Sequence, residues 1–369
     1  MKDFICPFCL KKHNLSTCLY RCDAANCPYG AKRDEFGYVK YDSIKKICDK
    51  KCSEAYKIIC PDESTHGSQV IPQRALNQSV SIALLGGRNS GKSNYIAVLV
   101  NEIKRKMSGA FNCSLMPCDD STDTRYQTLF YAPIFKDSMP LASTSAERQQ
   151  PLLFTLDFYH GRRATTIDNL LLPLYDTAGE NMESLEKLGT NVNYIKSAGG
   201  IILLLDPFEI EEIASQIQAN VGGQQSVSKM EDILNRVQNI LQQKNTKKVI
   251  DTPIAIVLTK LDLVNDFTSL IPEDSILRQP SAHIGMERFS MREFKAVDSA
   301  VRSLIMSSNE TASNLFRKLQ GFRNAAFFAV SSFGCDPSVA DLKKQMKPQR
   351  VLDPLLWLLA LNGYIRTGK

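Results

Sequence analysis

The richest chemistry in this chain lies in Gly86-Gly87-Arg88-Asn89-Ser90-Gly91-Lys92-Ser93. The run reads G-x-x-x-x-G-K-S, a phosphate-binding loop. Its glycines let backbone N–H groups curl around phosphate oxygens, and a helix starting at its end adds a favourable dipole. Lys92 would reach the outer phosphates, and the Ser93 hydroxyl would ligate Mg²⁺. Gly86, Arg88, Asn89, Ser90, Gly91 and Asn94 complete the predicted cradle. A chance glycine-rich turn is the plain alternative, and the flanks argue against it. Val80 to Leu85 is a short apolar run suited to a strand. From Asn94 to Lys106, Ile96, Leu99, Val100 and Ile103 fall on one helical face.

Three downstream segments could complete a nucleotide site. Asp176-Thr177-Ala178-Gly179-Glu180 follows the apolar run Leu170 to Tyr175. An aspartate there can hold Mg²⁺ through water, and Gly179 lets a backbone N–H swing towards the terminal phosphate. Thr259-Lys260-Leu261-Asp262 follows Ile254 to Leu258. The Asp262 carboxylate can accept from guanine N1–H and N2–H₂, a pattern adenine lacks, while the Lys260 stem would lie over the purine. Ser331 and Ser332 follow a strand ending at Val330, where a backbone N–H would meet the purine carbonyl.

A second kind of chemistry sits at the front. Of eleven cysteines, eight fall in the first sixty residues. With no signal-peptide apolar core at the N-terminus, that density predicts metal binding rather than disulfides. Cys6-x₂-Cys9 and Cys22-x₄-Cys27 predict a closed, structural four-thiolate Zn²⁺ site. Cys48, Cys52, Cys60 and His66 form a candidate second site, and Cys18 could replace any member. Lys45, Lys46, Lys50 and Lys51 either form a solvated face or meet acidic groups.

The elements that must position these residues follow from length and pattern. The 369-residue chain is 43% hydrophobic and 23% charged, with net charge +6, ordinary for a soluble protein and no argument for nucleic acid. No apolar run reaches the ~18 residues of a membrane span, so a cytoplasmic protein is expected. Composition changes near residue 70, which predicts a cysteine-rich module over 1–72 and a second domain over 73–369. In the latter, strands Val80–Leu85, Leu152–Tyr159, Leu170–Tyr175, Gly200–Leu205, Ile254–Leu258 and Ala325–Val330 alternate with helices at Glu209–Gln218, Met230–Gln243, Phe289–Met306 and Leu352–Leu361. This predicts an α/β fold with a mostly parallel sheet, interrupted by one antiparallel hairpin around His160-Gly161-Arg162-Arg163.

The motifs G-x-x-x-x-G-K-S, D-T-A-G, T-K-L-D and Ser-Ser, in this order at strand ends, resemble the translation-factor-related class of P-loop GTPases over about residues 78 to 369. The resemblance implies GTP and GDP binding, Mg²⁺ dependence, hydrolysis to GDP and phosphate, and two switch regions. It also implies a switch threonine in the long segment Ser108 to Gln150: Thr144 is the choice, with Thr122 and Thr124 open. Thr259 stands where that class usually has asparagine. Glu180 stands where Ras-like enzymes have a water-positioning glutamine, so it orients water, repels the terminal phosphate and leaves hydrolysis slow until a partner arrives, or caps the following helix. Asn89 resembles the asparagine of potassium-activated, dimerising GTPases, where K⁺ acts like an arginine finger; otherwise it is a loop residue tolerating an unusual backbone angle. Arg88 is a candidate finger or a surface arginine.

A zinc ribbon ahead of a divergent GTPase resembles the double-GTPase-type proteins of bacterial conflict and GTPase-associated systems. That implies a GTP-controlled switch acting with partner proteins in defence or stress, with a nucleotide-dependent homodimer among its forms. The alternatives are a GTP-holding adaptor with negligible hydrolysis and a nucleic-acid-associated GTPase.

Overall fold

The computed structural model of the chain describes residues 3–22, 31–35, 37–48, 56–62, 69–77, 80–87, 89–141, 151–160, 166–176, 188–221, 230–244, 249–306, 309–337 and 342–368. At the front, β1 (Phe4–Ile5) pairs antiparallel with β2 (Lys12–His13), and β3 (Leu19–Arg21) with β4 (Lys57–Ile59). The apolar runs downstream form β5 (Ser81–Gly86), β6 (Cys113–Pro117), β7 (Leu152–His160), β8 (Thr166–Leu174), β9 (Ala198–Leu205) and β10 (Ile254–Leu258). After the short β11 (Phe289–Ser290) comes β12 (Ala325–Ala329).

The main sheet has seven strands in the order β12-β10-β9-β5-β8-β7-β6. Its first five strands are mutually parallel, and β7 runs antiparallel between β8 and β6. The fold is therefore the expected α/β architecture with one reversed strand. The added edge strand, β6, lies inside the long segment Ser108 to Gln150, for which no strand was predicted.

Helices follow the strands in sequence. Lys92–Glu102 succeeds β5, Leu188–Ser197 precedes β9, Glu211–Val221 and Met230–Lys244 precede β10, and Met291–Met306 and Asn309–Leu319 precede β12. The Asp353–Leu361 helix packs on β9, where a Cβ on Gly200 would come within 2.7 Å of Leu358. A side chain there would have to push the Leu358 tip aside. Buried Arg350 bonds Glu293 and Asp353 at 2.9 Å each, fastening this helix to the Met291–Met306 helix.

The faces of β7 and β8 show how the front end attaches. Leu152, Phe154, Leu156, Leu170, Leu172 and Leu174 join the main core. Leu153 and Leu171 instead pack with Phe4, Cys6, Phe8, Cys9, Tyr20 and Ile58. This is the period-2 alternation of a strand whose two faces are both covered. Here the cysteine-rich segment takes the place a helix would fill.

Candidate functional site

Parallel pairing brings the C-terminal ends of β8, β5, β9, β10 and β12 to one edge of the sheet, where such folds bind ligands. The loop after β5 is shaped by its glycines. A Cβ on Gly86 would come within 2.5 Å of Ser90 Oγ. That hydroxyl donates to the Gly87 carbonyl at 2.9 Å. Asn89 (φ 64°) and Gly91 (φ 76°) are left-handed, a backbone type that turns N–H groups towards one concavity. Gly91 is also the N-cap of the Lys92–Glu102 helix and gives it no side-chain cap, so that end suits an anion.

Lys92 is buried, and burial pushes its ammonium down to about 8, with Asp176 opposing the shift. The Ser93 hydroxyl donates to Asp176 Oδ1 at 2.8 Å. The structure thus brings together the two residues predicted to hold Mg²⁺, beside the lysine predicted to hold phosphate. Asn94 turns its carboxamide away, accepting from the Leu141 N–H at 2.9 Å. It fastens the entrance to the segment bearing Thr144. Thr144, Arg88, Gly179 and Glu180 lie outside the described residues. Thr122, an open alternative for the switch threonine, is fully buried, and its hydroxyl accepts from Leu153 N–H at 3.2 Å. Thr124 lies in the short helix Asp120–Arg125.

The base end is built from β9, β10 and β12. Thr259 donates both its N–H and its hydroxyl to the Leu205 carbonyl, at 2.9 and 3.1 Å, tying β10 to β9. Lys260 is left-handed (φ 52°), and its ammonium sits 2.9 Å from Asp206 Oδ2 and 5.5 Å from the Phe208 ring centre. Asp206 and Phe208 were not foreseen, although Asp206 directly follows an apolar strand as Asp176 does. Asp262 Oδ1 accepts from the Ser331 hydroxyl, which itself accepts from Gly334 N–H at 2.7 Å. Burial raises the Asp262 carboxyl, and the Ser331 bond opposes the rise. Ser331 bridges Gln349, and Ser332 opens the bend that follows. A pocket of about 440 Å³ opens beside Asp262, lined also by Arg278, Cys335, Asp336 and Gln349.

The second cluster is at the front. The β1–β2 hairpin carries a tight turn, with Cys6 N–H donating to Lys11 O at 3.0 Å and Leu10 N–H to Cys6 O at 2.8 Å. Cys6 and Cys9 lie on that turn, and His13 Nε2 is 3.0 Å from Cys9 Sγ. Cys60, at the end of β4, completes a group whose four ligand atoms lie within 4.8 Å of one another. A tetrahedral site with bonds of about 2.0–2.3 Å needs ligand atoms somewhat under 4 Å apart, so three thiols and an imidazole fit Zn²⁺ with modest contraction. Hydrogen bonds from Cys6 and Cys9 hold Cys60 well below the usual thiol range, and bonds to Cys60 and Cys9 raise His13 to about 9.

This group differs from both sets expected from spacing. Cys6 and Cys9 gather with Cys60 and His13, and not with Cys22, whose carbonyl accepts from the Arg33 guanidinium. The β3–β4 register decides it: Leu19 opposite Ile59 brings Cys60 to the hairpin end of the module. Cys18 Sγ points to the Asn14 carbonyl at 3.5 Å, and Cys48 is buried in the module core. Cys27, Cys52 and His66 lie outside the described residues. His13 was missed, though Cys6-x₂-Cys9-x₃-His13 was there to be read.

A family model described as Double-GTPase 2 matches residues 80–319. Over 308 residues the chain is 25% identical to SaeC of Mycolicibacterium smegmatis, a protein named for ESX-1 scaffolding and assembly; the match covers 78% of this chain and 76% of that one. Among solved structures it is similar to the signal recognition particle receptor SRb-GTP/SRX complex from Chaetomium thermophilum, at 16% identity and a TM-score of 0.32, over 70% of this chain and 94% of that one. It is also similar to translation elongation factor SelB from Methanococcus maripaludis, at 13% identity and a TM-score of 0.28, over 78% of this chain and 34% of that one. Among the described residues, no helix is long and apolar enough to cross a membrane.

Proposed function

The chain belongs to the Double-GTPase 2 family, and from that premise we propose that it is a GTP-binding, GTP-hydrolysing switch. The observation that carries this reading is the Ser93–Asp176 contact at 2.8 Å beside buried Lys92, on the same sheet edge as Asp262 and Ser331. Ser93 and Asp176 would hold Mg²⁺, which supplies neutralising charge at the phosphates when bound. Lys92 and the loop N–H groups orient the triphosphate, and its transfer chemistry then depends on positioning and charge. Asp262, steadied by Ser331, reads the guanine edge. Glu180 and Thr144 are the proposed water-orienting and switch residues. Cys6, Cys9, His13 and Cys60 hold a structural Zn²⁺, in a module we place before residue 73. Asn89 needs no K⁺ to explain it, since its left-handed backbone already accounts for an asparagine there.

The relative named for scaffolding and assembly supports an output through partner proteins. It also favours a second reading, a GTP-holding adaptor with negligible turnover. A role in bacterial defence rests on the family resemblance alone. Single-turnover hydrolysis with and without Mg²⁺ separates the switch from the adaptor: no phosphate release in either condition, alone or with a partner, would leave the adaptor. Competition between GTP and ATP tests the base reading. The native chain should prefer GTP, and Asp262→Asn should lose about 10- to 100-fold of that preference, the worth of hydrogen bonds to a charged acceptor.

A further inference from the structure

The thiol–imidazole turn is fastened to the strand that delivers Asp176. Pro7 lies between the ligands Cys6 and Cys9, and its carbonyl accepts from the Tyr175 hydroxyl at 2.9 Å. Tyr175 is buried and immediately precedes Asp176. Its ring packs against Tyr194 with centres 4.6 Å apart. Tyr194 belongs to the Leu188–Ser197 helix, the first described element after the segment that begins at Asp176. Its hydroxyl in turn accepts from Leu84 N–H at 2.8 Å and donates to Pro173 O at 2.9 Å, bridging β5 and β8 just before the phosphate loop and Asp176.

Packing reinforces this polar path. Ile5 and Leu10, on either side of the turn, are part of the main core, while Leu153 and Leu171 of the sheet are part of the module core. The turn cannot relax without disturbing β8, and the hydrogen bond from the buried Tyr175 hydroxyl is lost or weakened if Pro7 moves. Loss of a buried hydrogen bond costs on the order of 1 kcal/mol, roughly fivefold in an equilibrium, enough to bias the strand end.

We propose that the metal centre and the nucleotide site are thermodynamically linked through Tyr175. A metal held by Cys6, Cys9, His13 and Cys60 fixes the Pro7 carbonyl, which fixes Tyr175 and hence the place of Asp176. Tyr175 is a positioning residue in this scheme and touches neither ligand. Linkage is reciprocal, so bound nucleotide must tighten the metal by the factor by which metal tightens the nucleotide. The inference rests on the GTP reading and on the assignment of Zn²⁺ to the cluster.

The test uses the full chain loaded with Zn²⁺. Zinc affinity is measured by competition with a chromophoric chelator, with and without saturating GDP and Mg²⁺; nucleotide affinity is measured by equilibrium dialysis. Saturating nucleotide should raise zinc affinity by about fivefold or more, the lower end of ordinary coupling. Tyr175→Phe should keep one zinc per chain and bind nucleotide, yet bring the coupling factor close to one. Tyr194→Phe, which keeps the ring and loses the bridge, should reduce the factor as well. The chelator leaves metal-free chain, and any coupling carried by unfolding of that chain rather than by Tyr175 persists in Tyr175→Phe, which tells the two apart. Equal zinc affinity with and without nucleotide, in a chain that binds both, overturns the proposal, as does full coupling in Tyr175→Phe. A chain that binds zinc but no nucleotide in dialysis overturns the GTP reading itself, a different and separately visible result.

Discussion

The phosphate loop draws its parts from residues 86–93, whereas the thiol–imidazole cluster draws three ligands from residues 6–13 and its fourth from residue 60. The first is a local device. Its geometry follows from two left-handed residues, a glycine whose missing Cβ leaves room for the Ser90 hydroxyl, and a helix that starts where the loop stops. The second depends on two separate ladders, β1–β2 and β3–β4, each short and each needing the other to bring its ligands together. A local site survives small shifts of the surrounding fold. A site closed over a long stretch of chain needs the metal to offset the entropy of that closure.

Substitutions can break this contrast from either side. The largest effect expected is from Lys92→Ala, which should lower single-turnover GTP hydrolysis by about 10²- to 10³-fold, as removing one charge-stabilising donor does elsewhere. Zinc content, measured by elemental analysis, should stay at one per chain. Cys60→Ser strikes the distant ligand, and its zinc affinity should fall by more than the roughly 10- to 100-fold that even an outer-shell change costs. Nucleotide affinity should shift far less, and a loss as large as that of zinc would mean the two sites are not separately built.

A subtler effect comes from pH. Burial takes Lys92 from an ordinary 10.5 down to about 8. Between those values the unfolded chain binds more protons than the folded one, so the stability of the nucleotide-free protein should rise with pH across that window. A triphosphate needs the ammonium, so affinity should fall about tenfold per pH unit above the folded value until the lysine of the complex itself titrates. Calorimetry in buffers of different ionisation heat should then register proton uptake on binding. The smallest effect is expected from Asn89→Gly. Glycine accepts the left-handed backbone freely, so GTP turnover should stay within about threefold of wild type in both K⁺ and Na⁺. A K⁺-specific loss would give the side chain the cation role that its backbone does not require.

Much of the candidate nucleotide site was legible because each part follows an apolar strand. Asp176 after β8, Thr259 to Asp262 after β10 and Ser331 after β12 could all be placed by that rule. What escaped depends on register and on edges. His13 reaches the cluster only because β2 folds back on β1, and Cys60 only because β4 lies against β3. β6 is five residues, half-exposed and ended by a proline, so its alternation is too short to stand out. Lys260 was expected to lie over a purine, and its anchorage on Asp206 and Phe208 required knowing that β9 lies beside β10. The Thr259 hydroxyl, which ties those two strands, is likewise a matter of neighbours.

The bridge made by Tyr194 has one more consequence. β5 and β8 are paired at Ser81 and Leu171, and beyond that pair Pro173 has no N–H to give a β5 carbonyl; the Tyr194 hydroxyl lies 3.4 Å from Ile82 O. The Leu84 amide, in the middle of the central strand, donates to that same phenol from another element. Its exchange with solvent deuterium should therefore report how often the Leu188–Ser197 helix lifts away more than it reports fraying of the sheet. That single amide is a built-in clock for this helix, readable without an attached probe or ligand analogue.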